Sequence, residues 1–472
     1  MSNKRKFLFL LAFLALIATN AQQKKYSFSL EEAIKFALDS SYTAQNARRE
    51  VAKAIQQKWE TTAQGLPQIN GEINYTNQLK QPVSLLPAAA FDNRQGTIST
   101  VEQFFDGPVR NNQPLIPATG FVPIVFGTKQ QATATATLSQ LIFSGSYLVG
   151  LEASKAFLEF TETQKEKQDL LIIEGITNAY GSVLLTQESI DILKDNLENL
   201  DRNIIEQQKI FENGLAEEEG IEQLQITQLQ LKNQLNNTER IKTIAEQMLY
   251  LAIGIPIESE VVLTDNINAI TIQNLDSDVV FKQFDITKNN DYQLSELLIE
   301  QRRLEHKLER SAYLPTLSAF INVGTQANSD SFTFFDSDQR WFNSSILGAN
   351  LQIPIFSSFQ RKAKTQKAYL ALEQARVSHK ENTQKIELGY EQAKSEYEFA
   401  IDNLNTLKQN LELAERIENK NQIKFTEGLS SSFDLRQAQT QLYSAQQEYL
   451  QAQLNLLEKK AKLESILNIY NL

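Results

Sequence analysis

The sequence predicts a mainly α chain with a minor β part, built as one unit used twice: two long helical hairpins and four β-strands. Three observations carry the prediction. The stretch KFTEGLSSSFDLRQAQTQL, Lys424 to Leu442, has a near relative in IFENGLAEEEGIEQLQITQL, Ile210 to Leu229. Ahead of each copy lies a proline-free segment of helical period, Tyr147 to Phe211 and Gln360 to Phe425. Such segments run as helices of about 65 residues, or about 100 Å, far beyond the usual globular helix of about 11 to 12 residues. Ahead of each long helix, short segments alternate apolar and polar residues with period two, the mark of a strand with two different faces.

At the N-terminus Lys4, Arg5 and Lys6 precede an apolar run, Phe7 to Ile17, and a small residue stands at Ala21. This reads as a secretory signal peptide over residues 1–21; the run is well short of the roughly 20 residues a spanning helix needs. Its removal takes away three positive charges and no negative ones, so the net charge goes from −11 to about −14. A chain this acidic repels phosphate, and no nucleic-acid partner is expected. With no cysteine at all, disulfides, thiolate metal sites and thiol nucleophiles are excluded. His306 and His379 sit in polar helical stretches without a second ligand nearby and read as solvated surface residues; no metal or cofactor is expected. No phosphate-binding glycine loop, nucleophile elbow or plausible catalytic set is present, which points away from an enzyme.

The first repeat occupies residues 22–253: a helix over 29–65, strands over 66–76 and 132–144, a long helix over 147–211 and a return helix over 219–253. In LPQINGEINYT, Ile69, Ile73 and Tyr75 point one way, and Gln68, Asn70, Glu72 and Asn74 the other. Between the strands, Asn77 to Gln131 is rich in proline and reads as a long irregular loop. Residues 254–288 form a linker of small mixed structure. The second repeat, 289–472, has a helix over 289–313, strands over 314–324 and 346–357, a long helix over 360–425 and a return helix over 433–469. The return helix carries one 3,4 register from Leu435 through Ala438, Leu442, Ala445, Tyr449, Ala452 and Leu456, a coiled-coil period. Equivalent positions of the copies lie 214 residues apart in the hairpins, 213 at the strand endings SQLIFS and QIPIFS, and 248 at the first strands, so the excess sits in the first strand connection.

A signal peptide, two copies of helix, strand, strand, long helix and return helix, the glycine turn followed by SSSFDL, and the opening SLEEAIKFALDSSY together resemble the TolC-type outer-membrane efflux proteins. Physics points the same way. No segment after the signal is long and apolar enough for a spanning helix, so entry into a bilayer must be by strands. Four strands cannot close a barrel, and an open edge in lipid leaves unpaired backbone groups at several kcal/mol each. The resemblance implies a homotrimer sharing one twelve-strand barrel in outer-membrane lipid, continued by a periplasmic helical tube. It also implies a passive exit channel of a tripartite efflux or type I secretion system, coupled to a periplasmic adaptor and an inner-membrane pump.

The resemblance places the two turns at the inner tips of the hairpins. Gly214, Leu215, Gly428, Leu429 and Ser430 are then the adaptor contacts. Asp434 matches the family's first aspartate ring, while Gln437 stands at the second ring position, Phe425 at the gate tyrosine and Ser430 at the arginine that links hairpins. Glu217, Glu218, Glu219 and Glu222 supply carboxylates at the other tip. Clustered around an axis, these groups favour cations; as a helix start, they equally complement the macrodipole. A water-filled barrel puts Glu72 and Asn74 in the lumen and apolar residues toward lipid. Tyr75, Phe143, Trp341, Phe342 and Phe356 are candidates for an interfacial girdle. A periplasmic adaptor or a secreted coiled-coil scaffold without a channel are the competing readings; two hairpins and four alternating strands count against both.

Overall fold

The computed structural model describes residues 25–91, 93–104, 119–214, 217–275 and 282–469. The signal segment and its cleavage site lie outside the described residues. The chain divides into two compact units: one of residues 1–59, 151–309 and 362–472, and one of residues 60–150 and 310–361.

In the first unit, β1 (Lys25–Phe28) pairs in parallel with β6 (Glu260–Leu263). The helix expected over 29–65 is two helices, α1 (Leu30–Ser40) and α2 (Tyr42–Ala63). Ser29 starts α1 with a capping box, its hydroxyl accepting from the Glu32 amide while the Glu32 carboxylate accepts from the Ser29 amide. The break falls at Ser41, whose backbone is extended (ψ 146°) and whose hydroxyl accepts from the Ala44 amide at 3.2 Å. A serine pair offers the backbone an alternative to the helix ladder. The break also makes room for Gly254, at φ +89°, where a Cβ would lie 2.5 Å from the Ser40 carbonyl oxygen.

Gly254 closes α5 (Glu218–Ile253), the return helix of α4 (Gly145–Glu212). The second hairpin is α8 (Gln360–Thr426) and α9 (Ser432–Leu467), and α7 (Asn290–Ser311) precedes it in the chain. The linker holds β6 and the short helix α6 (Ile267–Gln273). The main core gathers Ala33 and Ala37 of α1, Ile176, Tyr180 and Val183 of α4, Leu249 and Ile253 of α5, and Ile267 and Ile270 of α6. Tyr180 is fully buried. Its hydroxyl lies 2.9 Å from the Phe28 carbonyl oxygen and 3.0 Å from Asp265 Oδ2, and its burial pushes the phenol pKa up. The return helix α9 buries two stripes rather than the single register its sequence shows. Ala452, Leu456 and Leu463 pack with Tyr390, Tyr397 and Leu404 of α8. Leu450 and Leu457, on the second stripe, join the main core.

Both histidines depart from the solvated reading. His379 Nδ1 is 2.8 Å from Ser295 Oγ and its ring packs on Tyr292, and His306 packs edge-on to Tyr369. Each is half-buried, because α7 lies beside α8 and the polar sequence around each histidine hides that neighbour.

In the second unit, β2 (Gln68–Asn77), β5 (Gln130–Ser144), β7 (Thr316–Ser329) and β8 (Phe342–Gln352) form one antiparallel sheet in the order β2-β5-β7-β8. The last strand is shifted from the expected 346–357, because Pro354 has no amide to give the ladder. The expected irregular loop is partly ordered. It holds a two-stranded ribbon, β3 (Val83–Pro87) with β4 (Phe121–Val125), and the helix α3 (Arg94–Phe104). Its prolines at 82, 87 and 123 lie in or beside a ribbon of only two strands, where a missing amide is tolerated.

Candidate functional site

The pairing of the four strands sorts their residues into two faces, since directly opposed residues point the same way. On one face stand the rows Ile69–Leu138–Ile321–Leu347, Gly71–Ala136–Val323–Ser345, Ile73–Ala134–Thr325–Asn343 and Tyr75–Ala132–Ala327, with Leu317–Leu351 and Ala319–Ala349 below, apolar but for Ser345, Thr325 and Asn343 toward β8. On the other stand Asn70–Thr137–Asn322, Glu72–Thr135, Asn74–Thr133–Gln326 and Thr76–Gln131–Asn328. The polar face is hydrogen-bonded within itself. Asn322 Nδ2 donates to Thr137 Oγ1 at 2.8 Å, and Asn74 Nδ2 to Glu72 Oε1 at 2.8 Å. Three large apolar side chains interrupt this face: Ile346 opposite Asn322, Phe342 opposite Gln326, and Phe320, which lies over Gly348, where a Cβ would meet the ring at 2.5 Å, so the ring fills the place of the absent side chain.

Among the described residues nothing covers the apolar face. Ile73 is 85% and Leu347 78% exposed, and among the described residues β2 and β8 each have a strand neighbour on one side only. From Leu317 to Ala327 the apolar rows follow ten residue steps of β7. That is about 34 Å of strand and, at a barrel tilt of about 40°, about 25 Å of height, the thickness of an outer-membrane apolar band. At its Ala327 end the ring of Tyr75 meets Phe332 at 5.6 Å and Phe334 at 5.8 Å, and Phe334 meets Trp341 at 6.5 Å. Of the girdle candidates, Tyr75 and Trp341 therefore belong to one cluster. Phe332 and Phe334, which the alternation pattern missed because they lie in a loop, complete it.

The hairpin turns are built alike. Gly428, at φ +71°, donates to the Phe425 carbonyl at 3.0 Å and Leu429 to the Lys424 carbonyl at 2.7 Å. These two bonds are the Schellman closure of a helix, which requires a left-handed residue and hence glycine. Gly214, at φ +74°, likewise donates to the Phe211 carbonyl at 2.8 Å. Leu215 lies outside the described residues. Gly428 and Leu429 stand exposed at the tip, and Ser430 is half-buried.

Asp434 belongs to the start of α9. Its Oδ2 accepts from the Ser431 hydroxyl at 2.7 Å, the Ser431 amide at 3.2 Å and the Ser430 hydroxyl at 3.3 Å, while its own amide donates to Ser431 Oγ. The Ser431 hydroxyl and amide hold its carboxyl below the usual value, so it is charged and fully exposed. The first tip has no equivalent box. Glu217 is the N-cap residue of α5 but makes no side-chain cap bond, Glu218 and Glu219 fill the first turn, and Glu222 follows one turn on. All four are exposed, and Glu219 Oε1 accepts from Gln223 at 2.8 Å. Gln437 is exposed, whereas Phe425, which the resemblance sets at the gate tyrosine, is buried at 3% exposure.

Close to the tips the two hairpins are stitched together. Asn203 and Gln422 exchange amide hydrogen bonds at 3.0 and 2.8 Å, and Asn196 Nδ2 donates to Gln446 Oε1 at 2.8 Å. A Cβ on Gly220 would lie 2.7 Å from Ser432 Oγ, so the starts of α5 and α9 touch. These residues carry no one-dimensional signal: a glutamine on a heptad face looks like any solvated one.

The family described as outer membrane efflux protein matches residues 286–468. No curated protein sequence matches the chain. Among solved structures, the chain is similar to the Campylobacter jejuni CmeC outer membrane channel, with 16% identity, a TM-score of 0.69, and 93% of this chain and 85% of that one covered. It is similar to the outer membrane protein VceC from Vibrio cholerae, at 14% identity and a TM-score of 0.66, over 93% and 95% of the two chains. It is also similar to the open state of the Neisseria gonorrhoeae MtrE outer membrane channel, at 15% identity and a TM-score of 0.68, over 93% and 88%.

Proposed function

We propose that this chain, which matches the outer membrane efflux protein family over residues 286–468 and shares its fold with the channels above, is a passive outer-membrane exit channel of that family. The observation that carries this is the four-stranded sheet with one polar face, one apolar face and two open edges. In a bilayer the open edges must pair with other copies, and the polar face then lines water while the apolar rows meet lipid. Three copies give the twelve strands of the family's barrel. The exposed stripe Ile241, Ile244, Met248 and Leu251 on α5, at 3,4,3 spacing, supports the same assembly, because a helix leaves such a seam open only for a neighbour.

The chain supplies the duct, and an inner-membrane pump supplies the energy through a periplasmic adaptor. The adaptor docks at Gly214, Leu215, Gly428, Leu429 and Ser430. Around the axis Asp434, with Glu217, Glu218, Glu219 and Glu222, forms an acidic entrance that prefers cations and takes divalent ions as blockers. The exposure of these carboxylates and the low pKa of Asp434 support this. The test is single-channel recording of the purified protein in a planar bilayer, with divalent cation added to either side. Cation-preferring openings blocked from one side are expected. Protein shown to be inserted that never conducts, even with the Asp434 and glutamate carboxylates replaced by amides, overturns the channel.

A further inference from the structure

The ribbon of β3 and β4 has an apolar face that none of the described residues covers. Its register pairs Val83 with Val125, Leu85 with Pro123 and Pro87 with Phe121, so six apolar residues share one side. Leu85 is 62% and Phe121 67% exposed, and the ribbon belongs to no larger sheet. A two-stranded ribbon alone in water is marginal at best, so this face calls for a cover.

Lipid does not supply it. The ribbon continues the β2–β5 ladder, with the Gln78 amide donating to the Lys129 carbonyl at 2.8 Å and Gln81 Nε2 to the Gly127 carbonyl at 3.3 Å. It therefore starts past the Tyr75–Ala132–Ala327 row, where the apolar band of about 25 Å has already been used up. The connecting residues Gln78, Lys80, Gln81, Thr128 and Lys129 are polar, and two of them carry charge, although Leu79 and Phe126 among them are exposed.

We propose that the ribbon packs its Val83–Leu85–Pro87 face against the same ribbon of the neighbouring copies, over the outer mouth of the barrel. This rests on the trimeric channel reading above. The ribbon springs from β2, an edge strand that already meets a neighbour there, so the contact continues that interface. Reach is sufficient: twelve strands about 4.8 Å apart at a tilt of about 40° enclose a radius of about 12 Å, and a five-residue strand extends about 17 Å.

The cysteine-free sequence makes the test clean. Single variants Leu85→Cys and Phe121→Cys, with Ser84→Cys on the opposite side of the ribbon, are treated in lipid vesicles with a short bis-maleimide, and the native size of each sample is measured separately. Covalent pairs of chains from the first two variants and none from Ser84→Cys are expected. A trimer in which Leu85→Cys and Phe121→Cys stay unlinked, or are quenched by a reagent confined to the lipid phase, overturns the ribbon contact alone. A monomer overturns the trimeric reading and the contact with it.

Discussion

Leu347 and Ile346 are neighbours on β8 that point to opposite faces, one opposite Ile321 and the other opposite Asn322. Ile321 lies near the middle of the apolar rows, so Leu347→Arg puts a guanidinium at mid-height on the lipid face, at a cost of about 2 to 4 kcal/mol. The leucine is 78% exposed within the chain, so lipid completes its burial, and losing that transfer adds about 2 kcal/mol. The sum is about 4 to 6 kcal/mol per chain. Ile346→Arg makes the same chemical change on the polar face, where water receives the charge, and is expected to cost about 1 kcal/mol or less. Urea titration of the protein in lipid vesicles separates the two. Trp341, beside the start of β8 and one of only two tryptophans, is the fluorescent reporter. Ile346→Arg costing as much as Leu347→Arg, or more, would refute the assignment of faces.

Three further outcomes are expected. Gly254→Ala places a Cβ 2.5 Å from the Ser40 carbonyl oxygen and 2.8 Å from Ser41 Cα in a backbone at φ +89°. The left-handed conformation alone costs about 1 to 2 kcal/mol, so a lowered thermal midpoint by far-UV circular dichroism is expected, and an unchanged one contradicts the close approach. Burial pushes the Glu418 carboxyl above its ordinary 4.5, with the Gln439 amide pulling the other way. The folded state thus holds this proton more tightly than the unfolded, and the stability this group contributes is lost as pH rises through the folded value. Glu418→Gln should therefore melt higher than the parent at neutral pH, with the difference closing as pH falls below 4.5; a constant difference rejects the linkage. For Asp434 the sign is reversed: its lowered pKa makes the cap present above the ordinary value of 3.8 and lost as pH falls through the folded one. Asp434→Asn keeps an oxygen for Ser431 and removes the charge, so weaker cation selectivity at unchanged helix content is expected in bilayer recordings. Unchanged selectivity takes Asp434 out of the pore.

Much of this architecture is written in local periodicity. Proline-free helical segments become α4 and α8 because nothing in them stops a helix, and both stop where Gly214 and Gly428 take the left-handed turn. Alternation in QINGEINYT is enough to sort Ile69 and Ile73 from Asn70, Glu72 and Asn74, because side-chain direction in a strand depends only on parity. The candidate site was legible to the same depth. The turns and their carboxylates stand out as a repeat, whereas the amide pairs Asn203–Gln422 and Asn196–Gln446 do not, since their partners are about 220 to 250 residues away.

The sequence by itself therefore determined the repeat, the helix lengths, the two turns and the two faces of the strands, each set by chemistry within a few residues. Only the tertiary structure decided the break at Ser41, the second buried stripe of α9, the capture of Tyr180 between Phe28 and Asp265, and the pairing of a proline-rich loop into a ribbon. Each depends on a neighbour distant in the chain. A serine yields the helix only when Gly254 needs the space, and a heptad face becomes core on both sides only when two elements press on it.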